Sequence, residues 1–323
     1  MLASTHLPSN LQMHVPDGFL SLPVAAAFWL LSFILIAIGV RKVQNTFQER
    51  LIPLMGIMAA FIFAAQMLNF PVAGGTSGHL LGGALAAIVL GPWAGVLVMT
   101  SVIVVQALLF QDGGLLVMGA NIFNMGILTA LVGYGLYRPF AASRRSVQMA
   151  VIGVAAWLSV MAAALLTSLQ LWLSGASTLT VVLPAMLGVH ALIGLGEALI
   201  TVAAVSFIQQ TRPDLLAAKQ VRERGGRGWV VAGLAATLLA LLLTPFASAD
   251  PDGLERVAIN LGFMHNEMEA PYHLLTDYAI PFLGDSPLSG IVAGLVGVAV
   301  VAALVVVMAH LLRGSSNLTD RHA

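Results

Sequence analysis

Two histidines stand apart in this chain, each in a short polar or glycine-rich segment bordering long apolar stretches. His14 lies in Met13-His14-Val15-Pro16-Asp17-Gly18, just ahead of the first apolar stretch. His79 lies in Gly74-Gly75-Thr76-Ser77-Gly78-His79-Leu80-Leu81-Gly82-Gly83, between two others. Imidazole suits borderline divalent ions. In a chain beginning at Met13, the α-amino group, the amide nitrogen of His14 and its imidazole form fused chelate rings, and His79 adds a fourth nitrogen. The amine gives up its proton readily, since its ordinary pKa is about 7.7–8.0. Four coplanar nitrogens suit Ni(II) or Cu(II), and Co(II) accepts a similar set. The plainer alternative is an interfacial His14 and a helix-start His79 bonded to a nearby carbonyl.

Other polar residues lie in or near apolar stretches, where they are costly and usually face the bundle interior. Asn69, Ser77, Gln106, Asp112, Asn121, Asn124, His190 and Glu197 are the candidates for holding the two imidazoles in place. Each is matched by a structural alternative, helix–helix hydrogen bonding. Gly56, Ala60 and Ala64 recur every four positions and allow close helix packing, internally or against a partner membrane protein.

These groups need a scaffold, and composition names its class. The 323 residues are 59% hydrophobic and 9% charged, against about 25% charged in soluble domains, so the chain is an integral membrane protein. The net charge of +0 gives no basis for nucleic-acid binding. Cysteine is absent, which excludes disulfides, thiolate metal sites and cysteine nucleophiles. Without a Walker A motif, the chain does not hydrolyse ATP itself.

Nine apolar stretches are expected to cross the bilayer: 23–40, 51–69, 79–91, 94–110, 115–137, 148–174, 181–208, 229–247 and 288–312. Basic residues gather at Arg41/Lys42/Arg50, Arg138/Arg144/Arg145, the run Arg212 to Arg227, and Arg313. Placing every cluster in the cytoplasm requires two crossings between 79 and 110, broken at Pro92. The N-terminus is then outside, the C-terminus inside, and both histidines lie at the outer face. The expected fold is all-α: a seven-span core over 13–208, a basic linker at 209–228, and a two-span module over 229–323 with an outward loop at 248–287. Residues 1–12 form an N-terminal extension, and Met13 is the expected true start. The outward loop is acidic and holds His265 and His273; a solvated face is the expected role of its charges.

At these residues the sequence resembles the metal-specific binding subunits of energy-coupling factor transporters, CbiM for cobalt and NikM for nickel. The resemblance rests on Met13 to Leu20, Asn69-Phe70-Pro71-Val72 with Gly74 to His79, and Gly113-Gly114 with Asn121. Pro251-Asp252-Gly253-Leu254-Glu255 resembles the signature of a PDGLE or CbiN-like module. The resemblance implies ion capture by Met13, His14 and His79 at a bacterial or archaeal plasma membrane. Co2+ or Ni2+ is the transported ligand, the CbiN-like fusion leaning towards cobalt, and no cofactor is implied. The implied partners are a transmembrane coupling subunit of the CbiQ/EcfT kind, cytoplasmic ATPases of the CbiO/EcfA kind, and membrane lipid.

Two other readings compete. Gly75-Thr76-Ser77-Gly78 matches the G-x-S-G pattern of an intramembrane serine protease, with Ser77 as nucleophile and His190 as base. A self-sufficient secondary cation transporter is the third reading, marked by uptake without an ATPase.

Overall fold

A computed structural model describes residues 14–45, 51–211, 228–284 and 286–319. Met13, the extension before it and most of the basic linker lie outside the described residues. The core runs α1 (Leu22–Asn45), α2 (Leu51–Gln66), β1 (Phe70–Val72), β2 (Thr76–Gly78), α3 (Gly83–Leu90), α4 (Pro92–Val105), α5 (Met118–Asn121), α6 (Thr129–Tyr137), α7 (Arg145–Leu173) and α8 (Leu179–Thr211). The second module holds α9 (Gly228–Leu243), α10 (Gly253–Leu261) and α11 (Pro287–Thr319). Wider π turns at Gln106–Phe110 and Ile122–Leu128 extend α4 and join α5 to α6.

Seven helical stretches among the described residues are long and apolar enough to cross a membrane. They include α1, α7, α8, α9 and α11, and α1 leaves Leu22, Leu30 and Phe33 well exposed. Such a face belongs against lipid. The protein is thus an all-α, multi-pass membrane protein, as its composition requires.

The stretch at 79–91 departs from expectation. Only Gly83–Leu90 is helical, eight residues or about 12 Å, well short of the roughly 30 Å hydrocarbon core. The cause is local. Residues 70–78 form a β-hairpin turning on Gly74 and Gly75, both at positive φ, and Gly91 at φ 83 then reverses the chain into Pro92, the first residue of α4. Extended backbone at membrane depth is tolerated only under protein cover, and every residue of α3 is buried.

Small residues make that cover possible. An added Cβ at Gly95 would lie 2.8 Å from the Ala87 backbone, and one at Gly133 2.5 Å from the Ala84 Cβ. Lipid tails are as apolar as side chains, so close contact rather than hydrophobic burial holds α3 between α4 and α6. The small stripe on α2 serves the same end within the chain: Gly56 lies against Val306 of α11, while Gly297 of α11 receives Phe63. Ala60 and Ala64 are buried on the same helix.

Candidate metal site

His14 and His79 meet at the end of the bundle where α2 ends and α1 begins. Their ring centroids are 5.7 Å apart at 72°, and the side chains are 2% and 5% exposed. Two imidazoles sharing one ion have centroids up to about 6.3 Å apart, given metal–nitrogen bonds of about 2.0–2.1 Å. The pair therefore lies within reach of a single cation.

Each ring is fixed by its other nitrogen. His14 Nδ1 lies 2.8 Å from Asp112 Oδ1 and 3.1 Å from the Asp112 carbonyl, acceptors that require it to carry the proton. His79 Nδ1 likewise donates to the Leu80 carbonyl at 3.0 Å. The Nε2 of His14 is buried without a hydrogen-bond partner. Ligating histidines are ordinarily anchored in this way. The fused ring expected between the His14 amide and its imidazole would run through Nδ1. Closing that six-membered ring would use Nδ1, which Asp112 holds.

The backbone around His14 is shaped for this contact. Asn121 pairs with Val15 in both directions, accepting its N–H at 3.1 Å and donating to its carbonyl at 3.0 Å. Both Asp17 oxygens accept from the N–H groups of Leu115, Leu116 and Val117 at 2.9–3.1 Å. Gly113, at φ 94, lets the chain pass His14 so closely that a Cβ would lie 2.8 Å from the His14 Cβ.

The His79 loop is pinned from α8. Glu197 is fully buried and accepts the N–H of Leu81 at 2.6 Å and of Gly82 at 3.0 Å. Gln66 donates to the Leu81 carbonyl at 2.9 Å. These three bonds satisfy backbone that α3 leaves without helical partners.

The second module closes the site. Pro251 accepts the Ser77 N–H at 2.8 Å, Arg256 donates to the Gly75 carbonyl, and Met268 N–H reaches the Asp17 carbonyl at 2.8 Å. Asp252 and Glu255 form a reciprocal capping box at the start of α10, both nearly buried, so these acids are structural rather than a solvated face. Gly253 seats against Ile193 and the His190 ring, where a Cβ would lie 2.7–3.0 Å away. A cavity of about 60 Å³ remains, lined by His14, His79, His190, Asn121, Asn124 and Asp252. That is room for an ion with a few waters, at roughly 10–15 Å³ each.

Electrostatics tighten the His14 end. Burial alone would lower the His14 pKa, but the charge and hydrogen bonds of Asp112 outweigh it and hold the imidazole above its ordinary value. Burial would likewise raise Asp112, yet His14 and the hydroxyl of Tyr278 keep it below the usual carboxylate range. Burial pushes Asp252 up to about 7.

Not every candidate touches the histidines. Asn124 faces the cavity but bonds to Thr167 and Gln170 of α7. Asn69 offers its carbonyl to Ser248 at 2.8 Å, and Gln106 is buried where the π turn begins. The protease pairing does not form: the Ser77 hydroxyl donates to the Asp250 carbonyl at 2.7 Å and His190 Nδ1 donates to the Met186 carbonyl at 2.8 Å. His265 bonds the Gly262 carbonyl and His273 lies near Thr276, both exposed and neither lining the cavity. Sequence reasoning passed over the roles of Asp17, Gln66 and Tyr278. Asp112, an acid at the end of an apolar stretch followed by two glycines, was among the expected partners of the imidazoles and bonds His14; Tyr278 carried no signal.

Comparisons with known proteins give the chain a family. Residues 14–215 match the family model described as the cobalt uptake substrate-specific transmembrane region, and residues 227–314 match the PDGLE domain. A relative in Archaeoglobus fulgidus, bearing a name of the fused nickel transport (NikMN) kind, is 39% identical over 90% of this chain and 96% of its own. The cobalt transport protein CbiM of Sorangium cellulosum is 35% identical over 65% of this chain and 96% of its own. A crystal structure of a truncated transition metal transporter is 34% identical, covers 62% of this chain and 99% of its own, and superposes with a TM-score of 0.56. With both modules matched in order and the two histidines brought together, this chain belongs to the CbiM family of cobalt- and nickel-transport membrane proteins, with a PDGLE domain fused behind the core.

Proposed function

We propose that this protein is the substrate-capturing subunit of an energy-coupling factor transporter, taking Ni2+ or Co2+ from the outer face for ATP-driven uptake. One observation carries the reading: two buried imidazoles 5.7 Å apart, His14 tied to Asp112 and His79 to the Leu80 carbonyl, facing one small cavity. The relative matched across both modules bears a nickel name and the one matched mainly over the core a cobalt name, so the fused architecture favours nickel.

The hydrated ion sheds water to His14 and His79 in a cavity closed by α10, and in a chain beginning at Met13 the amine of that residue completes the set once it has lost its proton to solvent. Recruitment of the His14 amide would require Asp112 to release Nδ1. The chain supplies no ATP-hydrolysing motif, so a membrane coupling subunit and cytoplasmic ATPases provide the work. The N-terminus lies outside and the C-terminus in the cytoplasm of a plasma membrane, since only that arrangement puts every basic cluster inside.

Uptake of radioactive 63Ni2+ or 57Co2+ in cells expressing this chain with and without its ATPases tests the reading. Dependence on the ATPases supports it. Uptake by the chain alone would point to a self-sufficient secondary transporter.

A further inference from the structure

A second cavity lies along the first turns of α2, away from the histidines at its far end. It measures about 350 Å³ and is floored by Met58 and Phe61 of α2 with Leu85 of α3. Ala203 and Ala204 of α8 line one wall, and Ala236 of α9 the other. Packing explains the gap. Gly233 draws α9 onto α2, where a Cβ would lie 2.5 Å from Ile57 Cγ2, while α8 packs chiefly on α7. The two helices lean on different partners, and their alanines leave the space between them open.

The lining decides what can fill it. Apart from Thr211 its side chains are aliphatic or aromatic, and the Thr211 hydroxyl is turned back onto the Phe207 carbonyl at 2.9 Å. Water needs polar partners, and an empty space forfeits the dispersion contacts of its walls. Apolar cavities of about 150 Å³ already take benzene. The length fits a lipid tail. The lining runs from Thr211 to Ile200 on α8, about 16 Å, and from Trp229 to Ala236 on α9, about 10 Å. The hydrocarbon of one leaflet is about 15 Å deep, half of the roughly 30 Å core. Trp229 stands at the mouth, the level at which tryptophan meets headgroups. Between Thr211 and Gly228 the sequence carries Arg212, Lys219, Arg222, Arg224 and Arg227 against Asp214 and Glu223. Such a basic stretch beside a span gathers anionic lipid in the leaflet it faces.

We infer that this groove binds one acyl chain of an anionic phospholipid, with the headgroup at the mouth beside Thr211 and Trp229 and the tail's end near Phe61, Leu85 and Ala236. The tail touches α2, α8 and α9 together and so wedges the first helix of the PDGLE module against the core. The site is separate from the two histidines and stands whether or not the proposed capture of Ni2+ or Co2+ holds.

The test uses the full chain in detergent with a phosphatidylglycerol whose acyl chain ends in a photoreactive diazirine. Mass spectrometry maps the cross-linked residues, and native mass spectrometry counts the phospholipid that survives delipidation. The label should concentrate on Phe61, Leu85 and Ala236, with about one phospholipid retained per chain. Ala236→Phe fills the groove from α9 and Ala203→Phe fills it from α8. Both should lose the label and the retained lipid, and both should melt no lower than the delipidated wild type. Label spread evenly over the groove and over Leu30 and Phe33 of α1 would overturn the site. So would retained lipid undiminished in both variants. A groove that holds no lipid, but whose filling prevents a co-expressed coupling subunit from copurifying, would overturn the lipid in favour of a protein helix.

Discussion

Ser77, two residues before His79, donates its N–H to the Pro251 carbonyl at 2.8 Å and its hydroxyl to the Asp250 carbonyl at 2.7 Å. The strand beside one candidate ligand is thus paired directly with the opening of the PDGLE segment. Ser77→Ala removes the hydroxyl bond and keeps the backbone one, a loss of about 1 kcal/mol. Metal content should remain near wild type. A collapse of uptake with binding intact would give Ser77 a chemical role that its hydrogen bonds do not predict.

Glu197 is the counterpart on the other side of His79. Its carboxylate is the acceptor for two adjacent N–H groups, those of Leu81 and Gly82. Glu197→Ala strands both donors in a buried site, at about 1–3 kcal/mol each. The expected outcome is a lower melting temperature and reduced Ni2+ occupancy together, read by calorimetry and elemental analysis. Unchanged occupancy would show that the His79 loop keeps its shape without α8.

Glycine substitutions separate site geometry from general tolerance. A Cβ at Gly114 would lie 2.1 Å from Asp17 Oδ1 and 2.3 Å from the Asp17 nitrogen, whereas one at Gly135 meets nothing within 4 Å. Gly114→Ala should displace the Asp17 turn and lower both stability and metal binding. Gly135→Ala, in the exposed part of α6, should be neutral or stabilising by up to about 1 kcal/mol. Equal melting temperatures for the two variants would contradict the packing described around Asp17.

Much of this was legible in the sequence, for identifiable reasons. Long uncharged stretches announce helices directly, and the positions of basic residues put His14 and His79 at one end before any contact was known. The short α3 was less legible, because an apolar run looks the same whether eight or eighteen of its residues are helical; Gly91-Pro92 marked the break but not the hairpin before it. Asn124 and His190 line the cavity, yet periodicity gives a face and not a partner, and each bonds elsewhere. The Asp112–Tyr278 contact spans 166 residues and depends on left-handed backbone at non-glycine positions, for which no residue type is a signal.

The central claim is that His14 and His79 hold one ion between them. The measurement that tests it most directly is metal content, by mass spectrometry, of the chain begun at Met13 and purified after exposure to Ni2+ and Co2+, beside its His14→Ala and His79→Ala variants. The account predicts about one ion per wild-type chain and almost none in either variant, with all three equally folded by circular dichroism. Undiminished metal in His79→Ala, or an empty but folded wild-type chain, would contradict it.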